Sequence, residues 1–270
     1  MNQTMRTTLG WLLPLAAIAI MIGLWQLSTA SGFFRPDQFP TATESASAFW
    51  TALVSGKMLA ALWSTLTAWF WSMLIVTVLA VAIGSALAFS EIAYRSASTV
   101  IEVFKAIPSV AILPIVILVL GSTMPMKIFL ISFGCFWPLV IQVIYGVRSI
   151  DPVVLDTARA LGVRGIRKFF HVIVPSASPF IATGLRIASA SALILSVVAE
   201  IIGGAEGIGR VILQAQSGGV SAYPTMYAYI VLSGLIGLIL TGAFFLLERF
   251  AMHWHESQRN IRSNEERPAR

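Results

Sequence analysis

Six stretches of this chain are long and apolar enough to cross a bilayer, and that decides more about its fold than any motif it carries. A hydrocarbon core takes about 20 apolar helical residues to span. The stretches run approximately from Leu9 to Thr29, Leu62 to Phe89, Ala97 to Leu120, Met126 to Tyr145, Pro179 to Ile202 and Tyr227 to Leu247. Hydrophobic residues make up 57% of the 270 and charged ones 11%, with mean hydropathy +0.83. A soluble domain of this length would lack the charge to cover its surface. The chain therefore reads as an all-α, polytopic membrane protein of about six transmembrane helices. Residues 1–8 are a short N-terminal lead, 9–250 the membrane domain, and 251–270 a polar, mobile tail.

The charge of +6 is an orientation signal rather than a nucleic-acid footprint. With the N-terminus inside, twelve of the 18 Lys and Arg fall on the inner side. Arg35, Lys57, Lys127 and Arg210 fall outside, and Lys105 and Arg186 lie within spans. Both termini are then cytoplasmic. The first span could instead be a cleaved leader ending at Ser28-Thr29-Ala30, although its apolar run is long for one. The lone Cys135 supports neither a disulfide framework nor a thiolate metal site. There is no phosphate-binding Gly-Lys-Ser/Thr loop, so ATP is not bound here in that way. On the outer side, Thr41-Ala42-Thr43-Glu44 forms a capping box ahead of Phe49, Trp50 and Leu53, predicting a short interfacial helix before Gly56.

The most ordered loop runs from Asp151 to Pro175 on the inner side. Asp151 is an N-cap, and Pro152 suits the first helical position. Val154, Ala158 and Leu161 form an apolar stripe, and Gly162 can close the helix in the left-handed conformation. A second piece follows with Arg164, Arg167, Lys168, Phe169 and Phe170, and Pro175 is expected to stop it before the fifth span. A basic loop resting on anionic lipid explains the charge, but not the caps. A stiff docking surface for a cytoplasmic partner explains both.

This segment resembles the cytoplasmic docking loop of permease subunits of bacterial binding-protein-dependent ABC importers. That family's signature is Glu-Ala-Ala, three residues, Gly, nine residues, then Ile-x-Leu-Pro. The chain carries Asp156-Thr157-Ala158, Gly162 and Val172-Ile173-Val174-Pro175 at the same intervals. Asp replaces Glu, Thr replaces Ala, and the aliphatic pair is substituted. Four more stretches look like the sulfonate, taurine and nitrate branch. They are Phe104-Lys105-Ala106-Ile107-Pro108-Ser109, Val147-Arg148-Ser149-Ile150-Asp151-Pro152, Thr183-Gly184-Leu185-Arg186 and Val198-Ala199-Glu200-Ile201-Ile202-Gly203. So does Gly207-Ile208-Gly209.

The resemblance implies an inner-membrane permease subunit working as a homodimer. Two cytoplasmic ATPases would use ATP and Mg, and an extracytoplasmic binding protein would deliver a small solute. That solute would be a sulfonate, taurine, an aromatic carboxylate or nitrate. The chain itself would bind no cofactor or metal and catalyse nothing. Asp156, Thr157, Ala158, Arg159, Gly162 and Pro175 become the ATPase-coupling positions. Asp156 and Arg159 would face the ATPase, with Val154 and Leu161 against the permease body.

Within the spans, Glu102 and Lys105 are spaced to pair. Lys105 and Arg186 can equally snorkel to an interface. Glu200 either faces an outer vestibule or lies at the interface. Kinks at Pro108, Pro114 and Pro138 bring Ser109, Gln142 and Ser196 forward as pathway residues, although serine in membrane helices also serves packing. Gly207 and Gly209 read as part of an irregular outer loop bordering a gate. Two rivals remain. An intramembrane hydrolase fits poorly, because His171, His253 and His255 all lie outside the spans. A stand-alone secondary carrier or channel would not need the capped loop, and no internal repeat supports it.

Overall fold

The computed structural model describes residues 3–35 and 37–251. The tail from Met252 onward, with His253 and His255, lies outside the described residues. Among those described, the regular structure is helical: α1 (Gln3–Ala30), α2 (Ala42–Val54), α3 (Lys57–Ala88), α4 (Glu91–Ala106), α5 (Leu113–Leu120), α6 (Met124–Arg148), α7 (Pro152–Ala160), α8 (Gly165–Lys168), α9 (Val174–Gly203), α10 (Ile208–Ser217) and α11 (Tyr223–Ala251). Five of these runs are long and apolar enough to cross a membrane. The pair of α4 with the Ser109–Leu120 segment is long and apolar enough only when taken together, and it is bent by 76°, the geometry of a broken span or a re-entrant loop.

The helices fall into two units. The first contains α1, α2, the opening turns of α3, α10 and the start of α11. In it the capping box of α2 forms. Thr41 Oγ1 accepts from the Glu44 amide at 3.2 Å, and the Glu44 carboxylate accepts from the Thr41 amide at 2.8 Å. The Thr41 amide and then its hydroxyl stabilise the Glu44 anion and hold its pKa below the ordinary 4.5. The Trp25 indole donates to the Pro40 carbonyl at 3.1 Å, and Gln26 accepts from the Thr43 amide at 3.1 Å. These two bonds fasten the end of α1 to the entry of α2.

The second unit holds the core, on α3, α4, α5, α6 and α9. The α6–α9 seam is tight because glycines let backbone approach side chain. A Cβ on Gly146 would stand 2.8 Å from Phe180 Cβ, and one on Gly184 2.7 Å from Leu139 Cδ1. Gly84 on α3 comes equally close to Val143 of α6. Close approach of this kind replaces the hydrophobic drive that lipid cannot provide between helices. Phe104 stacks on Trp137 at 4.9 Å, clamping the last turn of α4 to α6. The break then follows at Ile107 and Pro108. Pro114 lies in the first turn of α5, where its missing N–H costs nothing. Pro138 sits inside α6, which continues as one helix through it.

Pro175 does not stop the chain. Gly165–Gly203 runs as one 39-residue helical stretch, with a π-helical turn at Phe169–Ile173 between α8 and α9. Pro175 falls in the first turn after that widening. In the wide turn the Val174 amide donates to the Phe169 carbonyl, an i→i−5 bond, so Pro175 falls where the i→i−4 ladder is already interrupted.

Candidate functional site

The Asp151–Pro175 loop is as ordered as its sequence suggests. The Asp151 carboxylate accepts from the Val153 amide at 2.8 Å, and Pro152 occupies the first turn of α7. Gly162, at φ +71, closes that helix. The Val163 amide donates to the Ala158 carbonyl at 2.9 Å and the Gly162 amide to the Arg159 carbonyl at 3.0 Å. These two bonds are the paired closure of a Schellman ending. Gly165, the first residue of α8, also takes a positive φ, +56, so the loop turns a second time where α8 begins.

The buried face of α7 differs from the expected stripe. Ala158 is buried and Leu155 packs on the core. Val154 and Leu161 are exposed, Leu161 at 75%, so neither lies against the body of the protein. The stripe through Val154, Ala158 and Leu161 is one of two apolar stripes crossing Ala158, and tertiary packing selects the one carrying Leu155. What remains outside is an apolar surface on a polar loop: Val153 at 68% exposure, Leu161, Ile166 at 77% and Phe170 at 60%. Asp156 and Arg159 pair at 2.8 Å on the same outer side, both largely exposed. A pair so exposed adds little stability. The Thr157 hydroxyl donates to the Val153 carbonyl at 2.7 Å. Pro175 is half-buried within the continuous helix.

The base of the loop is anchored separately. Arg148, at the end of α6, pairs with Glu91 at the start of α4 and lies 4.2 Å from the centre of the Tyr94 ring. Arg95 takes the other Glu91 oxygen at 2.7 Å.

A second cluster occupies the opposite end of α6 and α9. Glu200, 0% exposed, meets Lys127, 1% exposed, with Nζ 2.7 Å from Oε1. The same ammonium donates to the Glu206 carbonyl at 2.7 Å and to the Ser64 carbonyl and hydroxyl at 3.2 Å each. Thr65 donates to Glu200 at 2.8 Å and Ser196 at 3.3 Å. The Ser64 hydroxyl bridges to the Glu206 carbonyl at 2.8 Å. Glu200 therefore lies neither in an open vestibule nor at an interface: it is sealed with a counter-ion. Lys127, counted from the sequence as an outer-loop charge, sits wholly inside α6. Its partners lie more than 60 residues away along the chain, and the one available signal was a charge placed in the first turn of an apolar span.

The remaining polar residues are dispersed. Ser109 opens the 3-10 turn after the α4 break and is half-buried, its Oγ facing Gly134 of α6. Gln142 is half-buried beside Gly184. Gly207 precedes α10 at φ 148 and Gly209 is buried within it, both in the first unit. Glu102 and Lys105 are exposed and form no ion pair with each other. They line a shallow groove of about 50 Å³ with Tyr94, Ser98 and Tyr145. Arg186 meets Glu248 of α11 at 3.3 Å.

Residues 78–252 match the family model of the binding-protein-dependent transport system inner membrane component. A protein named as an aliphatic sulfonates transport permease, SsuC of Escherichia coli strain K12, is 31% identical over 253 residues, 91% of each chain. A protein of Leptolyngbya laminosa named as a nitrate import permease, NrtB, is 29% identical over 167 residues, 62% of this chain and 59% of that one. Among solved structures, a chain of the MetNI methionine ABC transporter in an inward-facing conformation superposes with a TM-score of 0.63. It is 21% identical and covers 72% of this chain and 96% of its own, a likeness of fold. An all-helical membrane domain with these apolar spans, matched over most of its length, places the chain in the family of binding-protein-dependent transport system inner membrane components.

Proposed function

We propose that this chain is the membrane-spanning subunit of an ATP-driven importer for a small anionic solute. ATP and Mg would be used by a separate cytoplasmic ATPase, and an extracytoplasmic binding protein would deliver the solute. The observation that carries the coupling role is the set of exposed apolar side chains, Val153, Leu161, Ile166 and Phe170, along a capped and ordered loop. Bare apolar surface on a rigid, otherwise polar segment is what a protein partner covers. Asp156, Thr157, Arg159 and Gly162 form or shape that surface, Ala158 seats it on the body, and Pro175 lies where the loop joins α9.

The distribution of Lys and Arg supports a cytoplasmic loop and cytoplasmic termini in a bacterial inner membrane. The names of the sulfonate and nitrate relatives support a small anion as the solute. A second copy of this chain completes the pathway. Ser109 and Gln142, half-buried beside the broken span and the α6–α9 seam, line it, and Gly207 and Gly209 border its outer gate. Ser196 and Glu200 hold structure instead.

Affinity co-purification from membranes tests the coupling. A soluble ATPase should follow the wild type and be lost from the Asp156→Lys, Gly162→Val variant at matched membrane levels. If no ATPase follows the wild type under conditions that preserve complexes, the protein works alone as a carrier. If the ATPase follows both equally, the grip lies elsewhere on the chain.

A further inference from the structure

α6 and α9 are joined through the docking loop at one end only. At the other end no short connection links them: α6 starts after the turn at Gly121 and α9 ends at Gly203. What ties these free ends is the sealed contact of Lys127 with Glu200, together with the approach of Met126 to Gly203, where a Cβ would meet Met126 Cε at 2.6 Å. The same ammonium reaches back to the Ser64 carbonyl of α3 and forward to the Glu206 carbonyl beyond α9. From Lys127 to Arg148 the helix rises about 31 Å, so this cluster and the loop stand a membrane thickness apart.

A buried ion pair is a costly way to hold two helices together. Desolvating both charges offsets most of their attraction, and apolar residues of like volume often stabilise as well or better. What such a pair provides and apolar contact does not is a single register. One ammonium with four oxygens around it admits one arrangement of three helices.

We propose that Lys127 and Glu200 are positioning residues that pin the free ends of α6 and α9, so that loop movement reaches the far end as a rigid-body displacement. This rests on the reading that an ATPase grips the loop. Neither residue touches the solute.

The test places an environment-sensitive fluorophore at either end of α9, on Ser176→Cys or on Ile202→Cys. Both positions are exposed, and the native Cys135 is buried. Each is read in the complete, reconstituted complex before and after ATP with vanadate. In the wild type both probes should respond. In Lys127→Met with Glu200→Leu, which leaves no stranded charge, the Ser176 probe should respond as before and the Ile202 probe should lose most of its response. Equal Ile202 responses in wild type and variant overturn the pin, as does silence at Ile202 in the wild type. Silence at Ser176 in the wild type overturns the loop reading, and this inference with it. Should the double variant lose its Ser176 response through misfolding, Lys127→Gln with Glu200→Gln decides. That pair stays polar and strands no charge but cannot gather four oxygens around one ammonium: a reduced Ile202 amplitude supports the pin, and an unchanged one refutes it.

Discussion

Lys127→Met should destabilise the protein severely, whereas adding Glu200→Leu should restore most of the loss. The single change removes a cation 2.7 Å from a carboxylate that is 0% exposed. The anion keeps the Thr65 and Ser196 hydroxyls, at 2.8 and 3.3 Å, but no counter-charge. Stranding a buried charge costs about 3–5 kcal/mol. Glu200→Leu alone strands the ammonium, which retains the Ser64 carbonyl, the Ser64 hydroxyl and the Glu206 carbonyl. Its cost should fall near the lower end, about 3 kcal/mol. The double variant strands no charge and keeps the Ser64–Glu206 bond, so about 1 kcal/mol should remain. The three values imply a pairwise coupling of about 5–7 kcal/mol. The exchange Lys127→Glu with Glu200→Lys should not rescue, because a carboxylate at 127 would face three oxygens. Unfolding in micelles, followed by tryptophan fluorescence, reads all four variants. A Lys127→Met loss under about 1 kcal/mol, or strictly additive singles, would refute the assignment of a desolvated pair.

Three further outcomes follow from local geometry. Gly162→Val forces a β-branched residue to φ +71, at a cost of about 1–3 kcal/mol; limited proteolysis should cut between Leu161 and Gly165 faster, while the membrane helices stay protected. Gly146→Leu drives its Cβ against Phe180 Cβ and the Ala177 carbonyl, neither of which can swing aside, whereas a Cβ on Gly23 meets nothing within 4 Å. Melting should therefore fall for Gly146→Leu and hold for Gly23→Leu, and equal losses would contradict the seam. The Glu44 carboxyl titrates below its unfolded value, so its contribution to the α2 cap is present above about pH 4.5 and lost as pH falls through the folded value. The hydrogen-exchange protection of residues 42–54, taken relative to the intrinsic rate at each pH, should fall across that acid window and lose this dependence in Glu44→Gln.

Local features were legible in the sequence because their partners lie within a few residues. Thr41 with Glu44, Asp151 with Val153 and Gly162 with Arg159 all close within one turn, so spacing alone locates them. The six apolar stretches were legible for a similar reason: crossing a bilayer is a property of length and composition. The broken span was readable only as disturbed, since Pro108 marks a break but does not give its 76° angle. Pro175 misled because proline stops a regular helix, and nothing in the residue types announces a π turn ahead of it. The pairing of Lys127 with Glu200 could not be read, since sequence distance hides which charges meet. Counting Lys127 as an outer-loop charge treated it as solvated, when it is one of the most deeply buried side chains among the described residues.

The unbroken helix from Gly165 to Gly203 also says how far the loop stands from lipid. If hydrocarbon covers the apolar run that begins near Pro179, the fourteen residues from Gly165 to Pro179 rise about 21 Å beyond it. A headgroup layer of about 6 Å takes up part of that height. About 15 Å remains, well over the ~8 Å screening length of physiological salt. By the same arithmetic Arg164 would stand about 15 Å beyond the headgroups and Lys168 about 10 Å, both past one screening length of the membrane's surface potential.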